Sequence, residues 1–198
     1  NITANSNAYN GIYLVGSNNN LTQITANSNE YSGIYLNYGF SNRFNDINIK
    51  DTRLDDGIGV FLSSSNVFEN VYINNSGSNG FRSGTDDGTY PVSNNVYKNI
   101  KIENSVIYDV NFLDDSAGLN NTFLNATYNI SKEYVGTGNQ LIRKWYYTAN
   151  VSEYYSGTGI SNASVSLYNS SGNLVHSLTT ASNGLVNSTE IIEYINNA

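Results

Sequence analysis

Five times along the chain one short phrase returns: an Asn, a large apolar residue two places on, and an apolar residue three places after that. The copies are Asn19-x-Leu21-x-x-Ile24, Asn42-x-Phe44-x-x-Ile47, Asn66-x-Phe68-x-x-Val71, Asn95-x-Tyr97-x-x-Ile100 and Asn121-x-Phe123-x-x-Ala126, at steps of 23, 24, 29 and 26 residues. A second phrase keeps the same beat, as Gly11-Ile12-Tyr13-Leu14 and Gly33-Ile34-Tyr35-Leu36, with looser versions at Gly59–Leu62 and Asp109–Phe112. Self-similarity at this period restricts a chain to a solenoid, a propeller or an array.

The contents of each unit narrow the choice. Short alternating stretches are split by Asn, Ser and Gly, so Ile12 and Leu14 point one way and Tyr13 the other. A second stretch follows each repeated Asn and turns Leu21, Ile24 and Ala26 inward, then Phe44, Ile47 and Ile49, then Phe68, Val71 and Ile73, then Tyr97, Ile100 and Ile102. A propeller blade needs longer units, and a leucine-rich repeat needs Leu at fixed offsets that are missing. The pattern fits the rungs of a parallel β-helix. Rungs stack about 4.8 Å apart, so equivalent side chains form ladders. The repeated Asn suits a corner, where its side chain bonds the amides of a neighbouring rung.

The expected fold is all-β. A right-handed parallel β-helix of about five coils covers residues 1–127, and a small immunoglobulin-like β-sandwich covers 128–198. The second part is read from the strand Gln140–Val151, the stretch Ala163–Tyr168, the turn at Asn169–Gly172, and the strands Leu174–Leu178 and Leu185–Ile195. Ser83–Ser93 is a loop inserted in one coil. The chain reads as an excised segment of a longer protein, with further coils or a capping partner expected before residue 1.

Composition agrees. There are 36 Asn, 25 Ser and 17 Tyr, with no Cys or Met and a single Pro. These are turn and strand residues, and helix is disfavoured. The net charge of −7 and the scattered basic residues exclude a nucleic-acid footprint. The lack of Cys removes disulfides and thiol chemistry. No apolar run reaches the length of a membrane span. Ten Asn-x-Ser/Thr sequons, at Asn1, Asn20, Asn74, Asn120, Asn125, Asn129, Asn150, Asn162, Asn169 and Asn187, read as N-glycosylation sites of an extracellular, cell-surface protein.

On these repeats residues 1–127 resemble the parallel β-helix repeats of archaeal and bacterial surface proteins related to the NosD and carbohydrate-binding/sugar-hydrolase families. The phrases Ser161–Tyr168, Ser171–Val175 and Thr179–Gly184 resemble a carboxypeptidase-regulatory-like, immunoglobulin-like module. Together they look like modular archaeal surface proteins, S-layer-like or adhesin-like. The resemblance implies a place at the cell surface and says little about activity.

Chemistry is sparse. Sugar-cleaving sites need carboxylates about 5–10 Å apart. The pairs Asp55-Asp56, Asp86-Asp87 and Asp114-Asp115 are the candidates, yet neighbours on a strand point to opposite faces. Arg53 near Asp51 and Asp55, or Arg82 near Asp86, could complete a lyase-like set. The lone His176 sits on an alternating strand and reads as a partly buried or surface residue. No cofactor is expected, although Asp86-Asp87 offers oxygens to Ca²⁺. Tyr13, Tyr35 and Phe61 form an outward aromatic ladder, open to a glycan or to another subunit. The sequence alone therefore points to a non-enzymatic structural segment that assembles with copies of itself into a filament, lattice or stalk. The alternatives are an adhesin that binds surface glycans through the aromatic ladder and, third, a polysaccharide lyase or hydrolase.

Overall fold

The structure, a computed structural model, describes residues 1–85, 91–114 and 117–198. Its strands are β1 (Ile2–Thr3), β2 (Ile12–Val15), β3 (Asn20–Thr25), β4 (Ile34–Asn37), β5 (Arg43–Thr52), β6 (Ile58–Phe61), β7 (Val67–Ser76), β8 (Phe81–Gly84), β9 (Val96–Glu103), β10 (Val110–Phe112), β11 (Asn121–Leu124), β12 (Glu133–Val135), β13 (Gln140–Tyr147), β14 (Ser164–Tyr168), β15 (Leu174–Thr179) and β16 (Thr189–Asn197). An eight-stranded sheet runs β1-β3-β5-β7-β9-β11-β13-β16, and a six-stranded sheet runs β2-β4-β6-β8-β10-β12. The pairing is parallel from β1 to β13 and from β2 to β12. Consecutive strands thus alternate between two sheets, and the chain winds through a β-solenoid of about six turns, one more than the five expected.

The repeat phrase places the corners. Left-handed backbone falls one residue before each repeated Asn, at Asn18, Ser41, Ser65, Asn94 and Asn120, with φ between 57° and 60°. It falls again five residues later at Gln23, Asp46, Asn70, Asn99 and Asn125, and five later still at Ser28, Asp51, Asn75 and Asn104. Such backbone disfavours side chains branched at Cβ and is tolerated best by Asn and Asp. No β-branched residue occupies any of these corners. The Asn and Ser content that excluded helix is therefore the material of the bends.

The repeated Asn itself is a buried ladder. Asn42 Oδ1 accepts from the backbone N–H of Asn19 at 2.9 Å and from its Nδ2 at 3.0 Å. Asn66 does the same for Asn42, Asn95 for Asn66, and Asn121 for Asn95. Inside, the register aligns Leu21, Phe44, Phe68, Tyr97 and Phe123. The rings of Phe44 and Phe68 stack at 4.5 Å, and those of Phe68 and Tyr97 at 5.5 Å. Ile24, Ile47, Val71 and Ile100 form a second buried ladder.

The last third departs from expectation. Two compact units are present: residues 1–144 with 192–198, and residues 145–191. The immunoglobulin-like sandwich expected over 128–198 is not what these strands form. β13 pairs in parallel with β11, and β16 borders β13, so both continue the solenoid sheet. Within the second unit the described strands are the hairpin β14–β15. No residue of that hairpin is buried, and its one apolar face, Val165, Leu167 and Leu178, is only half-buried, with no second sheet among the described residues of that unit covering it as in a sandwich.

Candidate functional site

The outward face of the six-stranded sheet carries one row of side chains in register: Tyr13, Tyr35, Gly59, Arg82, Asn111 and Tyr134. Each lies between two inward residues, as the period of two requires. Five steps of about 4.8 Å make the row about 24 Å long.

At one end the rings of Tyr13 and Tyr35 stack at 5.6 Å. The next ring is Phe61, 5.0 Å from Tyr35, although Phe61 aligns with Asn37 and not with Tyr35. Gly59 makes this arrangement possible, since a Cβ there would lie 2.9 Å from the Phe61 ring. Phe61 leans into the notch and is 5% exposed. The Arg82 guanidinium then sits over its far side, 5.2 Å from the ring centre. The expected aromatic ladder is present, but Tyr35 and Phe61 spend their faces on neighbouring rings and on Arg82, while Tyr13, stacked on Tyr35, stays 58% exposed. A sugar ring reaching Tyr35 or Phe61 from solvent meets ring edges.

Arg82 is the chemical centre of the row. Its Nη1 lies 3.6 Å from Asp56 Oδ2 and 3.8 Å from Asp55 Oδ1. These are ion-pair distances, too long for hydrogen bonds. Asp56 is buried, and its Oδ1 accepts from Asn79, at 3.1 Å from the backbone N–H and 2.7 Å from Nδ2. Asp56 Oδ2 and Arg82 Nε are buried with no hydrogen-bond partner among the described residues. Burial, reinforced by Asp55, pushes the Asp56 carboxyl up to about 7, against the opposing pull of Asn79 and Arg82. Asp55 stays partly exposed and accepts from Ser32 Oγ at 3.1 Å.

At the other end Asn111 Nδ2 donates to Asn79 Oδ1 at 3.3 Å. Tyr134 stacks on Tyr108 at 5.5 Å, and its hydroxyl donates to the two Asp114 oxygens at 3.1 and 3.0 Å. That carboxylate bond, followed by burial, raises the Tyr134 hydroxyl above its ordinary range. The hydroxyl therefore keeps its proton and acts as a donor.

The other sequence candidates scatter. Arg53 pairs with Glu30 at 2.6 Å, and Asp51 accepts from Asn75 at 2.7 Å. His176 is half-buried on β15. Asp86, Asp87 and Asp115 lie outside the described residues. Among the described residues no group of three metal-ligating side chains forms. Nine of the ten sequon Asn residues are exposed, and Asn74 is half-buried. The sequence reading missed the joining of Arg82 to Asp55 and Asp56, and the place of Asn111 and Tyr134 in the row. The signal was present in the spacing: Tyr35, Gly59, Arg82, Asn111 and Tyr134 follow at steps of 24, 23, 29 and 23.

No family model matches the chain, and no curated protein sequence matches it. Among solved structures, an alginate lyase from Paenibacillus sp. str. FPU-7 is similar at a TM-score of 0.53 and 22% identity, over 59% of this chain and 42% of that one. The enzymatically active domain of tailspike protein 2 of bacteriophage CBA120 is similar at a TM-score of 0.40 and 14% identity, over 70% of this chain and 22% of that one. The chain thus spans less than half the length of either, and the likeness is one of fold. It corrects the expectation of a non-enzymatic structural segment only so far as the match at a TM-score of 0.53 is to the fold of an alginate lyase.

Proposed function

We propose that this chain is part of a polysaccharide-acting enzyme and that an acid-bearing glycan lies along the outward row of the six-stranded sheet. The observation that carries this reading is Arg82. It is a cation held on a buried phenylalanine, flanked by carboxylates at distances that leave its hydrogen-bond donors uncommitted to them. A guanidinium in that state suits a sugar carboxylate, which it can grip with two parallel bonds. The fold, shared with an alginate lyase, adds an analogy of architecture.

Elimination next to a uronate carboxylate is the reaction class that fits best. A cation on the carboxylate stabilises the charge that builds up when the neighbouring proton leaves. Asp55, partly exposed beside Arg82, is placed to take that proton. Tyr134, a phenol that keeps its proton, lies two rungs along the row and donates to a departing oxygen on giving up its bond to Asp114. Asp56 is too deeply buried to touch a substrate. The exposed sequons support an extracellular setting, where such polymers occur.

The test is incubation with alginate, polygalacturonate, hyaluronate and a neutral β-glucan, reading both new ultraviolet absorbance from an unsaturated product and new reducing ends. Absorbance on one acidic polymer, lost in Arg82→Ala, is the expected result. Reducing ends without absorbance would replace elimination by hydrolysis. Inactivity on all four polymers, together with no binding of acidic oligosaccharides, would overturn the reading.

A further inference from the structure

The Asp55, Asp56 and Arg82 cluster has an asymmetry. Arg82 lies within 4 Å of one partly exposed carboxylate and one buried carboxylate. The buried one is anchored on one side only: Oδ1 is fixed by the two Asn79 bonds, and Oδ2 has no hydrogen-bond partner among the described residues and faces Arg82. The charged groups facing Asp56 are Asp55 on its own loop and Arg82 from β8. From the next coil comes neutral Asn79, and the preceding coil places Ser32 and Gly33 beside the Asp55–Asp56 loop.

We infer that Asp56 is a proton-linked positioning residue for Arg82, and that the cluster takes up a proton at Asp56 when Arg82 takes up an anion. The inference rests on the reading of Arg82 as an anion receptor and adds its regulation. With both aspartates ionised, an incoming carboxylate enters a site that already holds two negative charges against one positive. Such like-charge crowding disfavours it. A proton on Asp56 Oδ2 leaves Asp55 and Arg82 as a neutral pair, and the ligand then competes with Asp55 alone. The buried oxygen with no hydrogen-bond partner is where the proton goes. The proton comes from solvent or buffer, and no bond other than O–H forms or breaks. Asp56 lies near neutrality already, so a modest further push by the ligand is enough to complete its protonation. Phe61 keeps the guanidinium in place while the charge beneath it changes.

Two linkage consequences follow. Anion affinity falls as pH rises through neutrality, and binding at neutral pH consumes a fraction of a proton from the buffer. Both are absent in Asp56→Asn, whose amide oxygen retains the Asn79 bonds and whose charge is fixed at zero.

The experiment is calorimetric titration of the protein with a guluronate oligosaccharide, in two buffers of different ionisation enthalpy, at pH 6 and pH 8. Carbon NMR of the Asp56 carboxyl is recorded in the free protein. The expected result is proton uptake on binding, an affinity weaker by up to about tenfold at pH 8 than at pH 6, and a D56N variant that binds at pH 8 as tightly as wild type does at pH 6. Binding with no proton uptake and equal pH dependence in wild type and D56N would overturn the inference and leave the acidic-glycan reading intact. Absence of binding at either pH, with the Asp56 carboxyl titrating near neutrality and its titration displacing the Arg82 side-chain NMR signals, would overturn the anion-receptor reading and support the proton-linked positioning of Arg82. An Asp56 carboxyl that stays ionised down to the ordinary carboxylate range would overturn the inference whatever the oligosaccharide does.

Discussion

Asp56 is a residue whose place in the fold costs stability. Its carboxyl stands at about 7 in the native state against an ordinary 3.8, chiefly through burial and next through Asp55. The native state therefore holds a proton that the unfolded chain has released between about pH 4 and pH 7. Stability from this group is fully present below the lower value and falls as pH rises to the upper one. A shift of this size corresponds to on the order of 4 kcal/mol across the window. Asp56→Asn removes the titration, so its melting temperature should exceed that of wild type at pH 8, with the gap narrowing toward pH 4. Thermal unfolding at three pH values checks this, and parallel curves would show that Asp56 does not change its charge there. A group kept where it destabilises the fold is what a functional role leads one to expect. The neighbouring Gly59 makes a second point at this scale. Gly59→Val would force the Phe61 ring out of its notch, since even a Cβ meets that ring at 2.9 Å. The variant should lose the Arg82 stack and bind a guluronate oligosaccharide at least several-fold more weakly, while its far-ultraviolet spectrum stays that of wild type.

At the scale of the elements, the Asn ladder and the left-handed corners do different jobs that one sequence phrase encodes together. Asn66 accepts two bonds from Asn42 and donates Nδ2 to Gly39 O at 2.9 Å, all out of contact with water. Asn66→Ala strands these partners and should cost about 2–4 kcal/mol, read as a lower urea midpoint with an unchanged slope. Asn70, left-handed at φ 56° and exposed, should lose about 1–2 kcal/mol on change to Val and much less on change to Gly. These elements were legible in the sequence because both constraints repeat with the coil: Phe44, Phe68 and Tyr97 sit where the phrase puts them, and Leu21 is the one inward residue of its set left only partly buried. The candidate site was legible only in part. Tyr13 and Tyr35 follow from alternation within one strand. Arg82 beside Asp55 and Asp56 depends on which residues of different coils share a rung, and the steps that decide it vary between 23 and 29 residues. The sandwich expected at the end failed for a related reason. Alternation in Gln140–Tyr147 specifies a strand and is silent on which sheet it joins, and its buried Leu141 aligns with Asn121 of β11 in the solenoid.

For the molecule as a whole, a solenoid stabilises each coil through its neighbours, so its ends are its weakest places unless something closes them. In the unit of residues 1–144 with 192–198, the last turns are tied by a polar cluster. Glu133 Oε2 accepts from the hydroxyls of Tyr128 and Tyr194, and its Oε1 accepts from Asn196 Nδ2 at 2.8 Å. Arg143 lies over the Tyr128 ring at 4.6 Å and pairs with Glu193 at 3.0 Å. Burial, and then Glu133, lifts the Tyr128 hydroxyl well above its ordinary range, so that hydroxyl stays protonated and donates to Glu133. At the other end β1 has two residues and pairs with β3 alone. Amide exchange should therefore be slowest in β5, β7 and β9, fast in β1 and β2, and intermediate in β11 and β13. Glu133→Ala leaves three donors without their acceptor and should cost about 2–4 kcal/mol at that end. Its signature should be local, with exchange accelerated in β11, β12, β13 and β16 while β5 and β7 keep their protection. Uniform acceleration across all coils would mean that the solenoid unfolds as one cooperative body and that its end cluster guards the whole of it.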